Sequence, residues 1–418
     1  GDLNVRAVKD KNDNIISDGR PSLGFTGNMD TYKPAEGSAT RSDIAITDPD
    51  FKYPSLWKSN IAADYKFGDG WVATVELLYS KDINAIYHDN IGLYRTEQFV
   101  NDGGAGNARP YYNGYYSDRE GNQKAANHVV MLRNTSKGHS LYTTFQLQKN
   151  FVDGILKGLY LNGSYSFGQS RGVTDGTSSV ATSAWKYRAA LDGNAEEVGY
   201  TAGSFDGRLL LSASYTANWS KYAATSFGLI YQRYRPFRYS YCYNGDANGD
   251  SQFSNDLMYI PANFDEVKDH LLPGDFDSQE DAWKAMNAFI EQDPYLSKHR
   301  GEYAERNGAV APFANQLDLS VSHDIKIYQK NGRSHTLRFS FNIANFLNLL
   351  NRNWGVVQTT VLGNQQYQFL TIPKGQGPSA ANNYTLKYTM AKDLDETFKD
   401  NLNDVSRWQM QFGIKYIF

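Results

Sequence analysis

The strongest candidate for a chemical site is a short acidic segment, Asp246-Ala247-Asn248-Gly249-Asp250. Asp246, Asn248 and Asp250 place side-chain oxygens at alternate positions, as in the first half of an EF-type loop around a hard cation. The match is partial, because the glycine falls two places early and position twelve is Leu257 instead of Glu. The pair Asn255-Asp256 would add oxygens. We therefore expect either a calcium site over residues 246–256 or an ordinary polar turn.

Motifs of enzyme chemistry are missing from the sequence. It has no Gly-x-Ser-x-Gly elbow, no P-loop and no Gly-x-Gly-x-x-Gly after a strand. Cys242 is the single cysteine, so no internal disulfide and no Cys-based zinc site forms. The seven histidines form no pair at a metal-binding spacing; they lie at positions 88, 128, 139, 270, 299, 323 and 335. We expect no enzyme activity and no cofactor apart from the calcium.

The composition favours a β-protein and argues against a nucleic-acid partner. Of 418 residues, 42 are Lys or Arg and 45 are Asp or Glu, giving a net charge of −3 without a basic footprint. The 36 Gly and 30 Tyr residues are typical of β-structure. A mean hydropathy of −0.58 and the lack of a long apolar run exclude a membrane-spanning helix. Spanning β-strands stay possible, because only alternate residues need be apolar.

Alternation of apolar and polar residues with period two is the dominant pattern and predicts β-strands. In Arg208–Ser220, Leu211 and Tyr215 share one face, while Ser212 and Thr216 share the other. Nine strands are predicted, at 56–67, 71–85, 139–150, 157–170, 208–220, 223–241, 316–328, 335–348 and 406–418.

The connections between these strands alternate in length. Short turns lie near 68–70, 152–154, 221 and 329–334, and long loops cover 86–138, 171–207, 242–314 and 349–405. Short turns at one rim and long loops at the other are typical of outer-membrane barrels, whereas repeated long loops are uncommon in compact soluble domains. We expect an all-β protein, a transmembrane antiparallel β-barrel with long extracellular loops. The alternative is a soluble β-sandwich or barrel.

The barrel interpretation sets the orientation and the strand number. Residues 1–55 become an extracellular loop, and 56–418 hold the barrel strands and loops. A complete bacterial barrel has an even number of strands with both ends in the periplasm, so nine strands indicate a truncated set. The start at Gly1 without a secretion signal hints at a fragment. Possible extra strands at 356–371 and 382–392 would keep the number odd.

A short amphipathic helix is predicted over Asp277–Gln292, in the longest loop. Its apolar residues follow helical spacing after an Asp-Ser start. Packing within the loop is the expected role, because its polar face carries mostly Glu and Asp, whereas membrane-surface helices favour Lys and Arg.

The last strand combines alternation with an aromatic C-terminus. Its apolar face comprises Trp408, Met410, Phe412, Ile414, Tyr416 and Phe418. Aromatic residues at strand ends fit the interfacial girdle of a membrane barrel. The alternative is a buried last strand of a soluble barrel.

Several stretches resemble the C-terminal barrel of TonB-dependent outer-membrane receptors. They are similar to the Oar-like group, which carries an N-terminal carboxypeptidase-regulatory-like domain. The stretches are GDANGD at 245–250, NDLMYIP at 255–261, RGEYAERNG at 300–308 with Pro312 and Asn315, and LDL at 317–319. NFLNLLN at 345–351, before Trp354-Gly355, is similar too and is shared with SusC/RagA-type members. The resemblance runs over nearly the whole chain.

The resemblance implies a plugged barrel of about 22 strands, of which this chain holds nine. In this family the plug and the TonB box precede the barrel, and no segment here matches either. It further implies a receptor in the outer membrane of a Gram-negative bacterium. Such a receptor captures a nutrient, such as a glycan, peptide or siderophore-like ligand, and imports it into the periplasm with TonB-derived energy.

The resemblance also implies partners and binding residues. The partners are the TonB complex through the missing plug, the outer-membrane lipids, the barrel insertion machinery and a possible surface lipoprotein. Capture by the long loops would use side chains that stack on sugars or anchor peptides, and packing within the loops is their alternative role. These side chains are Arg109, Tyr111, Tyr112, Tyr115, Tyr116 and Trp185. The alternative functions are a passive porin or adhesin-like barrel, a soluble secreted glycan-binding β-protein and, last, an outer-membrane enzyme.

Overall fold

The computed structural model describes residues 8–9, 15–17, 43–100, 109–115, 128–176, 178–328, 334–362, 366–378, 384–389 and 396–418. The chain divides into two compact units, Gly1–Arg41 and Ser42–Phe418. In the first unit, Val8–Lys9 pairs antiparallel with Ile15–Ser17. The second unit contains the large sheet and the loops that join its strands.

Nine long strands form one antiparallel sheet. Their order in the sheet is the same as their order along the chain, so each long strand is hydrogen-bonded to the long strands before and after it. A short tenth strand, Gly199–Tyr200, pairs with β4. The nine strands are β1 (Leu56–Phe67), β2 (Trp71–Asp82), β3 (His139–Asn150), β4 (Leu159–Gly172), β5 (Arg208–Ser220), β6 (Ala223–Tyr234), β7 (Ala314–Tyr328), β8 (Ser334–Ala344) and β9 (Gln409–Ile417). The nine predicted strands and the all-β class are therefore confirmed. Within the described residues β1 and β9 are the two edges of an open sheet.

The strand bounds also confirm the alternation of short and long connections. The short ones are 68–70, 151–158, 221–222 and 329–333, and the long ones are 83–138, 173–207, 235–313 and 345–408. Because neighbouring strands are antiparallel, all four short connections lie at one end of the sheet and all four long ones at the other.

The two faces of the sheet differ sharply in polarity. The polar face carries side chains that are hydrogen-bonded across strands, as Gln146 Nε2 is to Asn162 Oδ1 at 2.8 Å. Ser320 Oγ donates to Asn342 Oδ1 at 2.7 Å. The opposite, apolar face carries large exposed side chains on eight of the nine strands. They include Ile61, Leu77, Phe145, Tyr165, Leu211, Leu229, Ile325 and Phe412.

The strand predicted over 71–85 ends three residues early, at Asp82, and two other strands end earlier still. The strand predicted over 223–241 stops at Tyr234, because Pro236 has no N–H for the ladder and restricts the residue before it. Residues Arg238–Tyr241 instead pair within the loops. The strand predicted over 335–348 stops at Ala344, because Asn345 adopts a left-handed conformation with φ 52°.

The four long connections contain their own short elements and a common core, and we call them together the loop assembly. We also count Ile44–Thr47, a short strand before β1, as part of the loop assembly. The short strands within the four connections are Ala85–Asn90, Leu93–Val100, Arg109–Tyr115, Val129–Thr135, Arg238–Tyr241, Tyr259–Ile260, Leu271–Leu272, Glu302–Tyr303, Ala309–Val310, Gln358–Thr360, Gln366–Tyr367, Leu370–Thr371, Leu386–Tyr388 and Phe398–Asp400. The helices are α1 (Ala181–Lys186), α2 (Gln279–Gln292) and α3 (Phe346–Leu350), with 3-10 turns at Phe264–Glu266, Leu296–Lys298 and Asp404–Ser406.

The core of the loop assembly draws on every long connection. Val100, Ala189, Met286 and Phe369, one from each connection, belong to a single buried cluster. The predicted helix is confirmed as α2, with Ser278 as its N-cap, and its apolar residues pack inside the loops as expected. None of the helices in the described part of the chain is both long and apolar enough to cross a lipid bilayer.

The extra strands considered at 356–371 and 382–392 are short segments of the loop assembly that pair with one another or with other loop residues. Within the described residues neither contributes to the nine-stranded sheet. Residues 363–365, 379–383 and 390–395 lie outside the described residues, as does most of the predicted loop 1–55.

Candidate functional site

Three aspartates come together in the longest connection, between β6 and β7. Carboxylate oxygens of Asp246, Asp250 and Asp256 all lie within 4.8 Å of one another, and we call this group the acid cluster. Asp250 and Asp256 are buried, whereas Asp246 is partly exposed and opens the cluster to the surface. It is the one group of three or more carboxylate, His or Cys side chains with this geometry among the residues described.

The local sequence folds the backbone around the first carboxylate. Asp246 Oδ1 accepts from the N–H groups of Asn248 at 3.1 Å and Gly249 at 2.6 Å, and Oδ2 accepts from Ser251 N at 2.8 Å. Gly249 has φ +82°, and a Cβ there would collide with the carbonyl oxygen of Tyr112. Glycine is therefore required both by the turn and by the close approach of a second loop.

Two asparagines flank the cluster in different ways. Asn248 supports Asp250: its Oδ1 accepts from Asp250 N at 2.9 Å, and its Nδ2 lies 3.4 Å from Asp250 Oδ2. Asn255 is only 2 % exposed, and its side chain is hydrogen-bonded to the Asp250 carboxylate. Its other amide atom, Oδ1, is buried without a hydrogen-bond partner among the described residues.

Burial makes the acid cluster electrostatically costly. It raises the pKa of Asp250 to about 7, with a further increase from Asp246. Burial also raises the pKa of Asp256 well above its usual range, and Asp250 adds to this effect while Arg109 opposes it. Arg109 is fully buried, and its Nη1 lies 3.2 Å from Asp256 Oδ1. This ion pair with Arg109 is the one shown for the three carboxylates among the described residues.

The arrangement differs from an EF-type loop at its far end. Leu257, at position twelve, is buried in the core, and its carbonyl oxygen accepts from Arg109 Nη2. The third carboxylate comes from Asp256, one residue earlier. Sequence reasoning named Asp256 as a possible ligand but missed its ion pair with Arg109, since the two residues are 147 positions apart.

All four long connections meet at the segment that carries the acid cluster. From the β2–β3 connection, Tyr112 N donates to Asn248 O at 2.7 Å. From the β4–β5 connection, Ala190 N donates to Asn255 O at 2.9 Å. From the β8–β9 connection, Ile372 N donates to Asn244 O at 2.9 Å. The segment is therefore the junction of the loop assembly.

The side chains that sequence reasoning assigned to substrate capture are buried. Arg109, Tyr111, Tyr112, Tyr115 and Trp185 are all less than a tenth exposed. Tyr112 OH donates to Asp192 Oδ1 at 2.7 Å, and Trp185 Nε1 donates to Asn194 Oδ1 at 2.9 Å. In this structure they pack the loops together, and their role in substrate binding stays a prediction. Tyr116 lies outside the described residues.

The last strand, β9, pairs with β8 and presents its predicted apolar face outward. The exposed fractions of these side chains run from 43 % for Trp408 to 91 % for Phe418. The other members of this face are Met410, Phe412, Ile414 and Tyr416, all exposed. Such a face needs an apolar partner or an apolar solvent.

The acid cluster can hold a hard cation through carboxylate and amide oxygens. Comparison of the chain with protein-family models, with curated proteins and with solved structures gave no match, so the resemblance to TonB-dependent receptors rests on sequence motifs alone.

Proposed function

We propose that this chain forms the C-terminal part of a transmembrane β-barrel in the outer membrane of a Gram-negative bacterium. We further propose that this barrel belongs to a TonB-dependent uptake receptor. The observation that carries the proposal is the apolar face of the nine-stranded sheet. Large side chains on eight strands are exposed there, while the opposite face is polar and hydrogen-bonded. Hydrocarbon is the solvent in which such a face is stable.

Strand length and asymmetry support the same proposal. A tilted strand needs about 9–11 residues to cross the bilayer core, and β9, the shortest of the nine, has 9 residues. The four long connections at one end of the sheet match external loops, and the short ones match periplasmic turns. In a soluble sandwich the apolar face would be covered by a second sheet.

The open edges of the sheet specify what must complete it. In a bilayer each unpaired backbone group costs several kcal/mol, so spanning sheets close on themselves. The outer edges of β1 and β9 would therefore pair with further strands. A total of about 22 strands would leave a lumen lined by the polar face and filled by a plug.

Under this proposal the loop assembly faces the outside and the plug couples to the TonB complex. A nutrient such as a glycan, peptide or siderophore-like ligand would be captured outside and released into the periplasm. The outer-membrane lipids, the insertion machinery and a possible surface lipoprotein would be the other partners.

Fractionation of cells that produce the protein tests the proposal. We expect it in the outer membrane, resistant to alkaline washing, with external protease cutting in the long connections and sparing the short ones. Recovery in the aqueous fraction would contradict the proposal and favour a soluble glycan-binding β-protein. Uptake that stops when the proton gradient is dissipated would distinguish an energised receptor from a passive porin.

A further inference from the structure

Asp293 is another buried aspartate of the loop assembly, and its carboxylate is fully hydrogen-bonded. Asp293 accepts from Tyr241 OH at 2.6 Å and from Thr397 Oγ1 at 2.7 Å. It also accepts from the N–H groups of Tyr295 at 2.9 Å and Leu296 at 2.8 Å. Four donors therefore surround one carboxylate, and among the described residues Asp293 belongs to no group of three carboxylate, His or Cys side chains like the acid cluster.

The acid cluster is different, because three carboxylates lie together in it, although each of them also accepts from N–H donors. The guanidinium of Arg109 forms an ion pair with Asp256 and also donates to Leu257 O. Beside the carboxylates, the buried Asn255 Oδ1 has no hydrogen-bond partner among the described residues, although the same amide group contacts Asp250. A buried oxygen without a donor is costly. The missing partner of this oxygen is therefore a hydrogen-bond donor or a cation, and beside carboxylates a cation is also attracted by their charges.

The geometry fits one divalent cation of calcium's size. The carboxylate oxygens lie within 4.8 Å of one another, and ligands on opposite sides of Ca²⁺ are separated by about 4.6–5.2 Å, twice the calcium–oxygen distance. Three ionised carboxylates and one guanidinium together carry two negative charges, which one divalent cation neutralises. The partly exposed Asp246 gives the ion a path from solvent.

We propose that Ca²⁺ binds to Asp246, Asp250 and Asp256, with Asn255 Oδ1 as a fourth ligand, and that the ion locks the junction of the loop assembly. The ligands lie on the segment that Tyr112, Ala190 and Ile372 contact from the three other long connections. Bound calcium would fix this segment and so order all four connections together. The inference does not depend on transport.

Calcium binding to the full chain in detergent, measured by titration calorimetry in excess Mg²⁺, is the direct test. We expect one Ca²⁺ per chain. Asp250→Asn should weaken binding at least about tenfold, since even indirect supports of a metal site cost that much. Asn255→Ala should also weaken it. The control Asp269→Asn, an exposed aspartate of the same connection, should bind as the unmodified chain does.

Hydrogen exchange of the segments 109–115 and 244–257 separates ion binding from a folding defect. Calcium should slow exchange in both segments of the unmodified chain and of Asp269→Asn. In Asp250→Asn it should have no such effect, although without calcium this variant should be at least as protected as the unmodified chain, because one repelling charge is gone. Absence of binding, equal binding by Asp250→Asn, or equal affinity for Mg²⁺ would overturn the proposal.

Discussion

The sheet and the loop assembly treat large apolar side chains in opposite ways. On the apolar face of the sheet, Phe145 is 48 % exposed and Phe412 is 66 % exposed. In the loop assembly, Phe289 and Phe369 are buried and their ring centroids lie 5.0 Å apart. The loop assembly thus carries the core of an ordinary water-soluble domain, and the sheet does not. The difference is the one that the proposed barrel requires, with water around the loop assembly and lipid against the apolar face of the sheet.

Polar groups show the same contrast. The polar face of the sheet carries Ser, Gln and Asn side chains that are hydrogen-bonded across strands, whereas the loop assembly buries charged groups such as Arg109 and Asp256 almost completely. Enclosed charges need strict pairing, and in the acid cluster three carboxylates lie together with an ion pair shown for Asp256.

The largest effect is expected from truncation inside the loop core. Phe289→Ala should lower the free energy of unfolding of the loop assembly by about 3–5 kcal/mol, because it leaves a cavity among Tyr367 and Phe369. Denaturant unfolding followed by near-ultraviolet circular dichroism would measure it. Phe253→Ala, at a 68 % exposed side chain of the same connection, is the control and should change little. Equal effects would mean that the loops have no defined core.

A charge on the apolar face should be nearly as damaging in a bilayer. Leu211→Arg should cost about 2–4 kcal/mol of folding free energy in lipid vesicles, because arginine would meet hydrocarbon. Ser212→Arg, one residue away on the polar face, should be mild. If both variants lost the same stability, the assignment of the faces would be wrong.

A smaller effect is expected at the junction of the loops. Gly249→Ala combines a left-handed backbone with a collision against Tyr112 O, so we expect a loss of about 1–3 kcal/mol. Faster hydrogen exchange of residues 109–115 would report it. Gly203→Ala meets no atom within 4 Å and should exchange normally. Unchanged exchange in Gly249→Ala would show that the two loops do not depend on each other.

The smallest effect is expected at the start of α2. Ser278 Oγ accepts from Asp281 N at 3.1 Å, so Ser278→Ala should cost about 1 kcal/mol, while Ser278→Asp should retain the cap. Thermal unfolding would rank the three proteins. A destabilised Ser278→Asp would contradict capping as the reason.

The sheet was predictable from sequence because a strand with one polar and one apolar face repeats every two residues. This is why Arg208–Ser220 has the predicted bounds. The two largest exceptions are local backbone effects at Pro236 and Asn345, of which the first was readable from the sequence.

The loop core was not predictable, because its members come from four separate connections and follow no period. Arg109 illustrates the difficulty. As a residue type it suits ligand capture, yet its partner Asp256 is visible only once the chain is folded. For the acid cluster, Asp246 and Asp250 followed from their spacing, whereas the burial and the unpartnered oxygen of Asn255 required the structure.

The most direct test of the membrane assignment compares two adjacent residues of β5. After Cys242→Ser, single cysteines are placed at Leu211→Cys and Ser212→Cys, labelled with a fluorophore and exposed to a lipid-phase quencher in vesicles. We predict strong quenching at 211 and weak quenching at 212. Equal quenching at both positions, or at neither, would contradict the claim that the apolar face meets lipid.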